Sequence, residues 1–242
     1  MSLYNKLLFI VFLSVIYLSC NRIYNKETSY IAPIPNDMLG SRLTVDADVD
    51  GDGQKEILTE KYISGVTGKE LSKIQDTTVS FGDFIEHIDS QKAYCYLSVG
   101  NSAIDSMPIS SRTQLLGLLY IKNEGDLDDD GGDEISYVIN WADNSNTNQC
   151  ILMSYKKNKW VELYRFDIFE TMVPELPGST IESSPFGSQL ISNTSGSNEI
   201  LKKQQEEYAN FKGLIRKVGK RKIEVNTLDF ERIDIWQEVK LK

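Results

Sequence analysis

This sequence predicts a mainly β fold of antiparallel sheets with a single C-terminal helix. Three observations carry the prediction. Short apolar segments, some alternating and some unbroken, recur along 42–166 and again along 214–241, with polar turns between them. Two acidic glycine turns, DVDGDGQKE at 48–56 and DLDDDGGDE at 126–134, each run straight into one of those segments. One stretch, 199–212, has the make-up of a helix, with Ser197 or Asn198 as its cap and Gly213 as its stop.

The elements follow in chain order. Residues 1–19 read as an export signal. Lys6 gives a basic start, and 7–18 is an apolar run, LLFIVFLSVIYL. A membrane span needs roughly 20 apolar residues, so this run is short for one. It ends in Ser19-Cys20, which resembles the lipobox of bacterial lipoproteins in a relaxed form, with Tyr17 where leucine usually stands. A plain signal peptide or an uncleaved anchor is the alternative. On the lipoprotein reading Cys20 carries the lipid and 223 residues remain. Residues 20–37, with Pro33 and Pro35, form a tether, and 38–242 form one β-rich domain. The implied address is the bacterial cell envelope at the outer membrane, with the lipid as the membrane contact.

Within the domain, 42–45 and 57–63 are strands on either side of the first acidic turn. Residues 64–78 carry Gly65 and Gly68 and read as surface loop. Residues 92–99 alternate weakly, as a strand does. The run LLGLLYI at 115–121 is a buried strand entering the second acidic turn. Segments 135–141, 150–155 and 160–166 form an antiparallel meander with its second turn at 156–159. Residues 179–197 are rich in Ser, Gly, Asn and Thr and read as a long loop. After the helix, 214–218 and 222–226 suggest a hairpin, and 230–241 closes the chain as a strand. The two acidic turns superpose at an offset of 78, and both are followed by Glu-Ile, so the chain holds a weak internal repeat of strand, acidic loop and strand.

Charge placement separates the turns from the rest of the chain. They and their immediate flanks, 46–56 and 124–134, hold twelve of the 35 acids and one base, Lys55. Without the signal, 23 acids and 24 bases are left elsewhere. The net charge of −9 is therefore concentrated where a cation would sit, and it argues against nucleic acid as a partner. Forty per cent hydrophobic residues give the chain enough material for a packed core. Cys95 and Cys150 are an even pair for an oxidising compartment. They are either a disulfide closing a loop of about 55 residues or two buried free thiols.

Each turn places oxygen ligands at alternate positions around a sharp bend. Counting from Asp48, positions one, three, five, seven and nine are Asp48, Asp50, Asp52, Gln54 and Glu56. In the second turn they are Asp126, Asp128, Asp130, Gly132 and Glu134. Gly53 and Gly131 stand sixth, where the backbone must bend, and the seventh residue can offer its carbonyl whatever its side chain. Hard oxygen donors in this number suit calcium. An EF-hand needs a bidentate Glu at position twelve, but Thr59 and Tyr137 stand there, and strands flank both turns. The turns resemble the calcium-binding loops of the FG-GAP/VCBS repeats of integrin-type β-propellers. The resemblance implies that the one, three, five and nine side chains and the seventh carbonyl bind calcium. It covers about a tenth of the chain. Two loops are few for a closed propeller, so a partial propeller-like arrangement or a smaller β-domain is expected. The plain alternative is two acidic turns that hold no ion. An affinity on the order of 10⁻⁴–10⁻³ M, as in extracellular modules, is expected.

Other residues carry less. His87, the single histidine, lies in FIEHIDS and reads as a surface residue; alone it cannot build the common zinc sites. No G-x-S-x-G elbow or P-loop is present. Lys212, Arg216, Lys217, Lys220, Arg221 and Lys222 form a basic patch that reads as a solvated face. Trp141, Trp160 and Trp236 read as packing residues, with a glycan platform as the rival. The expectation is a lipid-anchored, calcium-clipped binding or scaffolding module for a protein or glycan partner, without a catalytic role. Its rival is a calcium-stabilised envelope enzyme such as a glycan hydrolase. That needs two close carboxylates in a cleft, for which Glu60, Glu86, Asp105 and Asp143 are the available material.

Overall fold

The computed structural model describes residues 42–73, 80–143, 145–175, 179–184, 187–192, 198–229, 231 and 234–241. The signal, the tether, Cys20 and Ser197 lie outside them. All the described residues belong to one compact unit, Ile34–Lys242. Among them no helix is long and apolar enough to cross a membrane.

The first sheet is an antiparallel meander of β1 (Thr44–Ala47), β2 (Glu56–Ile63), β3 (Tyr94–Val99) and β4 (Met107–Ser110). The second repeats that layout with β5 (Leu115–Gly125), β6 (Glu134–Trp141), β7 (Thr147–Lys156) and β8 (Lys159–Phe169). β9 (Ser179–Ser184) and β10 (Gly187–Ser192) pair as a hairpin. β11 (Ile215–Gly219), β12 (Lys222–Leu228) and β13 (Asp234–Lys240) form a third sheet. The described residues are thus mainly β and antiparallel, as expected, and form no closed barrel. The weak repeat in the sequence corresponds to two four-stranded meanders, each with its acidic turn between first and second strands.

β6, most of β7 and the first half of β5 are buried on both faces, which is why they read as unbroken apolar runs, while β8 at the edge of the sheet is largely exposed. The strand alternation divides them between two cores. Ile135, Tyr137 and Ile139 of β6, with Ile151, Met153 and Tyr155 of β7, join the core shared with the first sheet. Val138, Cys150 and Leu152 join the core shared with Ile215, Ile223 and Val225 of the third sheet. Each such aliphatic side chain contributes about 1.5–3 kcal/mol by its burial. The split also answers the cysteine question. Cys95 on β3 lies in the first core and Cys150 in the second, so the candidate disulfide is not formed and both are buried free thiols. Burial pushes both thiols well above their ordinary pKa.

The structure corrects the expected elements at three places. A helix, α1 (Phe81–Ser90), precedes the C-terminal helix α2 (Asn198–Asn210), so the described residues hold two α-helices rather than one. Ser80 caps α1: its hydroxyl accepts from the Asp83 amide (3.2 Å) and donates to the Asp83 carboxylate (2.6 Å). Phe84 and Ile88, four apart, face the core, and His87 is exposed. The stretch 179–197 holds the β9–β10 hairpin, with Ile181 opposite Leu190 and Thr180 opposite Ile191. Its serine- and glycine-rich composition hid the β-branched residues that favour pairing. β4, which carries Pro108, pairs with β3 at a register shift and shows no alternating signal of its own.

A buried ion pair joins the first two sheets. Glu60 on β2 and Lys73 are both fully buried, with Lys73 Nζ 3.1 Å from Glu60 Oε2. Glu60 also accepts from the amides of Leu43 (3.1 Å) and Leu118 (2.7 Å), and Lys73 donates to the Leu118 carbonyl (2.6 Å). Burial lowers the Lys73 pKa, and Glu60 opposes that. Gly117 sits over the pair at φ +84, where any Cβ would run into Glu60. The stretch 64–78, read as surface loop, therefore sends Lys73 to the centre of the molecule.

Candidate metal centre

The two acidic turns share most of their internal hydrogen bonds; the first adds one from the Asp52 amide to Asp50 Oδ1 (3.2 Å) that the second lacks at Asp128. In the first, Asp48 accepts from the amides of Asp52 (3.1 Å) and Gly53 (2.9 Å); in the second, Asp126 accepts from Asp130 (3.2 Å) and Gly131 (3.1 Å). The fifth-position carboxylate caps the seventh amide in both, Asp52 to Gln54 (2.7 Å) and Asp130 to Gly132 (3.2 Å). The ninth-position Glu reaches back to the second amide, Glu56 to Val49 (3.3 Å) and Glu134 to Leu127 (2.6 Å). Positions four and six have positive φ in both: Gly51 (+73) and Gly53 (+88), then Asp129 (+63) and Gly131 (+99).

Three of the expected side-chain ligands converge in each turn. Asp48, Asp50 and Glu56 each offer an oxygen within 4.8 Å of the others, and so do Asp126, Asp128 and Glu134. The structure therefore has two acidic clusters that could bind a metal ion. Asp52 and Asp130 stand outside these trios, turned to their capping bonds. Gln54 is exposed and lines, with Asp52, Glu56 and Asn101, a cavity of about 370 Å³ beside the first turn. Gly132 is buried, and its role is contact: a Cβ there would stand 2.7 Å from the Val49 carbonyl.

The turns also interlock. Asp133 donates its amide to the Asp48 carbonyl (2.7 Å), and its carboxylate accepts from the Asp48 amide (3.0 Å). Asn123 Nδ2 donates to that carboxylate (2.7 Å) and to the Asp46 carbonyl (2.9 Å). Gly51 lies against Gly131, where an added Cβ would be 3.0 Å from the Gly131 carbonyl carbon. Sequence reasoning missed Asp133 as the bridge. The signal was available, because Asp133 aligns with Lys55 at the 78-residue offset and breaks the repeat there.

Electrostatics differ between the clusters. In the second, Asp128 and Glu134 are buried, and Asp128 Oδ1 and Glu134 Oε1 accept no hydrogen bond. Burial pushes the Glu134 carboxyl up to about 7, aided by Asp128 and Asp130 and opposed by the Leu127 amide and Ser154. Lys156 at the end of β7 pairs with Asp128 and, at 2.9 Å, with Asp130. Burial works to raise Asp130, but Lys156 and the Gly132 amide outweigh it and hold the carboxyl below its ordinary value. Lys217 donates to Asp129 Oδ1 and to the Asp126 carbonyl, both 2.6 Å, and the Arg221 amide bonds Asp129 Oδ2. Part of the basic patch read as a solvated face is thus spent on this turn. Glu124 leaves the acidic group: it is buried against Lys122 (2.7 Å) and the Ser136 hydroxyl (2.6 Å).

The other candidates separate. Glu60 is sealed in its pair with Lys73, Glu86 is exposed on α1, and Asp105 is exposed, offering its backbone carbonyl to the Trp160 indole (2.7 Å). Asp143 lines two cavities. Trp160 packs on Tyr155, Trp141 lies under Arg112, and Trp236 lies under Arg216 while staying 42% exposed. Trp236 borders a groove of about 970 Å³ between the second and third sheets, with Asn148, Gln149, Asp167, Asp229 and Gln237. Comparisons with protein-family models, curated proteins and solved structures gave no match.

Proposed function

We propose that this chain is a lipid-anchored calcium-binding protein of the bacterial envelope that acts as a binding or scaffolding module, with calcium as a structural clip. The observation that carries the reading is the twofold convergence of Asp-Asp-Glu trios in two turns that interlock. Carboxylates gathered this closely repel one another, and hard oxygen ligands on a turn with a sixth-position glycine favour calcium over softer-ligand metals. The first-, third- and ninth-position carboxylates would hold the ion. Asp52, Asp130 and the carbonyls of Gln54 and Gly132 complete the set implied by the likeness to FG-GAP/VCBS loops. Two ions would pin the first and second sheets across the Asp133 bridge. Lipid on Cys20 would place the domain at the outer membrane.

Calcium is expected to raise the melting temperature and chelator to lower it. Unchanged melting curves in 10 mM calcium and in EDTA would defeat the clip. Incorporation of a labelled fatty acid that is lost in Cys20→Ala tests the anchor. A pull-down from envelope extract, with and without calcium, tests the binding role.

The enzyme alternative rests on one observation: Asp167 and Asp229 share the groove beside Trp236. It predicts hydrolysis of a cell-wall glycan that Asp167→Asn abolishes; absence of turnover on such substrates removes it.

A further inference from the structure

We infer that Lys156 is a tethered competitor for the divalent ion at the second turn, so that the two turns take metal in two unequal steps. The inference rests on the calcium reading above and concerns what distinguishes two sites of the same design. Both turns share the bonds made by their first-, fifth- and ninth-position carboxylates and the same converging trio, while Asp50 also accepts from the Asp52 amide and Asp128 has no matching bond. At the trio itself, what differs in charge is what approaches from the third strand of each meander; Lys217 from β11 also reaches the second turn, at Asp129 and the Asp126 carbonyl.

That approach can be compared residue by residue. In the first sheet Asn101 stands two residues past the end of β3, and its Nδ2 lies 3.5 Å from Glu56 Oε1. In the second sheet Ile135 pairs with Met153, which leaves Ser154 next in line beside Glu134. Two residues further along the chain stand Ala103 in the first repeat and Lys156 in the second. Alanine brings no charge. The Lys156 ammonium pairs with Asp128 and Asp130, the third- and fifth-position carboxylates. Its backbone is fixed by the tight turn at Lys157 and Asn158, both with positive φ, which pairs Lys156 with Lys159.

One ammonium does not satisfy this cluster. Asp128 Oδ1 and Glu134 Oε1 remain buried and accept no hydrogen bond, so anionic oxygen is left over for a second, stronger cation. A divalent ion at the trio must dislodge Lys156 from Asp128 or bind beside its positive charge. The Lys156 side chain is a quarter exposed, so it can swing into solvent when displaced. Each route weakens the second site relative to the first. With the ion absent, Lys156 supplies the charge that holds the second turn closed. Lys217 stays at Asp129 and the Asp126 carbonyl throughout, so removing Lys156 narrows the gap between the sites without closing it.

Calcium calorimetry on the full chain and three variants tests this. The full chain should show two classes of site that differ by about tenfold or more. Lys156→Met should tighten the weaker class by about tenfold and leave the stronger one in place. Lys156→Arg, which keeps the charge, should change neither, and Asp50→Asn should remove the stronger class alone. Melting curves give a second readout with a sign change: Lys156→Met should melt lower than the parent in EDTA and gain more from calcium. A purely structural lysine would lower both curves alike. Two equal sites in the parent, or a weaker class unmoved in Lys156→Met, overturns the competitor and leaves the calcium reading standing. No calcium uptake by the parent or by Lys156→Met overturns both.

Discussion

The first acidic turn is open and the second is walled in, although they share one internal design. Residues 50–55 of the first are exposed, and no lysine pairs with its trio among the described residues. The second is crowded by Lys156 from β7 and Lys217 from β11, and two of its trio, Asp128 and Glu134, are buried. One local pattern thus fixes the shape of both turns but not the charges around them, so on the calcium reading their affinities are expected to differ. Affinity depends on which charges the rest of the fold delivers to the loop, and those come from residues far away in the chain.

The largest effect is expected where the turns touch. Asp133→Ala removes a carboxylate that accepts from both the Asp48 amide and Asn123. The expected cost is about 3 kcal/mol, or roughly 6–12 °C in melting temperature, with calcium uptake weakened at both turns. Loss confined to one turn would show that the bridge does not couple them.

Calcium itself comes next. A site of about 10⁻⁴ M gains about 2.7 kcal/mol in 10 mM calcium, and one tenfold weaker about half that. Asp50→Ala should therefore remove more of the calcium-induced rise in melting temperature than Asp128→Ala. Equal losses would erase the difference between the turns. In EDTA the order reverses, because Asp128→Ala also strips Lys156 of a partner.

Acidity should separate the turns further. Glu134 titrates near 7 in the metal-free fold, against an ordinary value of 4.5. Its raised value means that the fold prefers the protonated form. In EDTA, stability should fall as pH rises from about 4.5 through 7 and level off above that. Calcium binding at the second turn should weaken as pH drops below about 7, because the proton competes with the ion. Chelated melting curves that are flat across this window, or that rise, would contradict the burial of Glu134. The smallest effect is expected from Lys217→Ala, roughly 1–3 °C, since that pair is partly exposed. It should leave the first turn unaffected.

Much of the architecture was legible in the residues. The strands around both turns, the meander with its 156–159 hairpin, and the C-terminal helix ending before Gly213 follow from local spacing and turn chemistry. The α1 helix was legible too, in the Ser80-x-x-Asp83 cap followed by Phe84 and Ile88, but its ten residues were outweighed by polar surroundings. The β9–β10 hairpin was hidden by a composition that also suits loops.

By itself the sequence determined the two acidic turns, because their shape depends on residues within nine positions of one another. Amide-to-carboxylate bonds and positive-φ residues act at that range. Tertiary structure alone decided that Asp133 bridges the turns, that Glu60 and Lys73 are buried together, that Cys95 and Cys150 occupy separate cores, and that Lys156 stands over one trio and not the other. Coulomb and desolvation energies depend on distance through space, and chain spacing does not report that distance until the sheets have stacked.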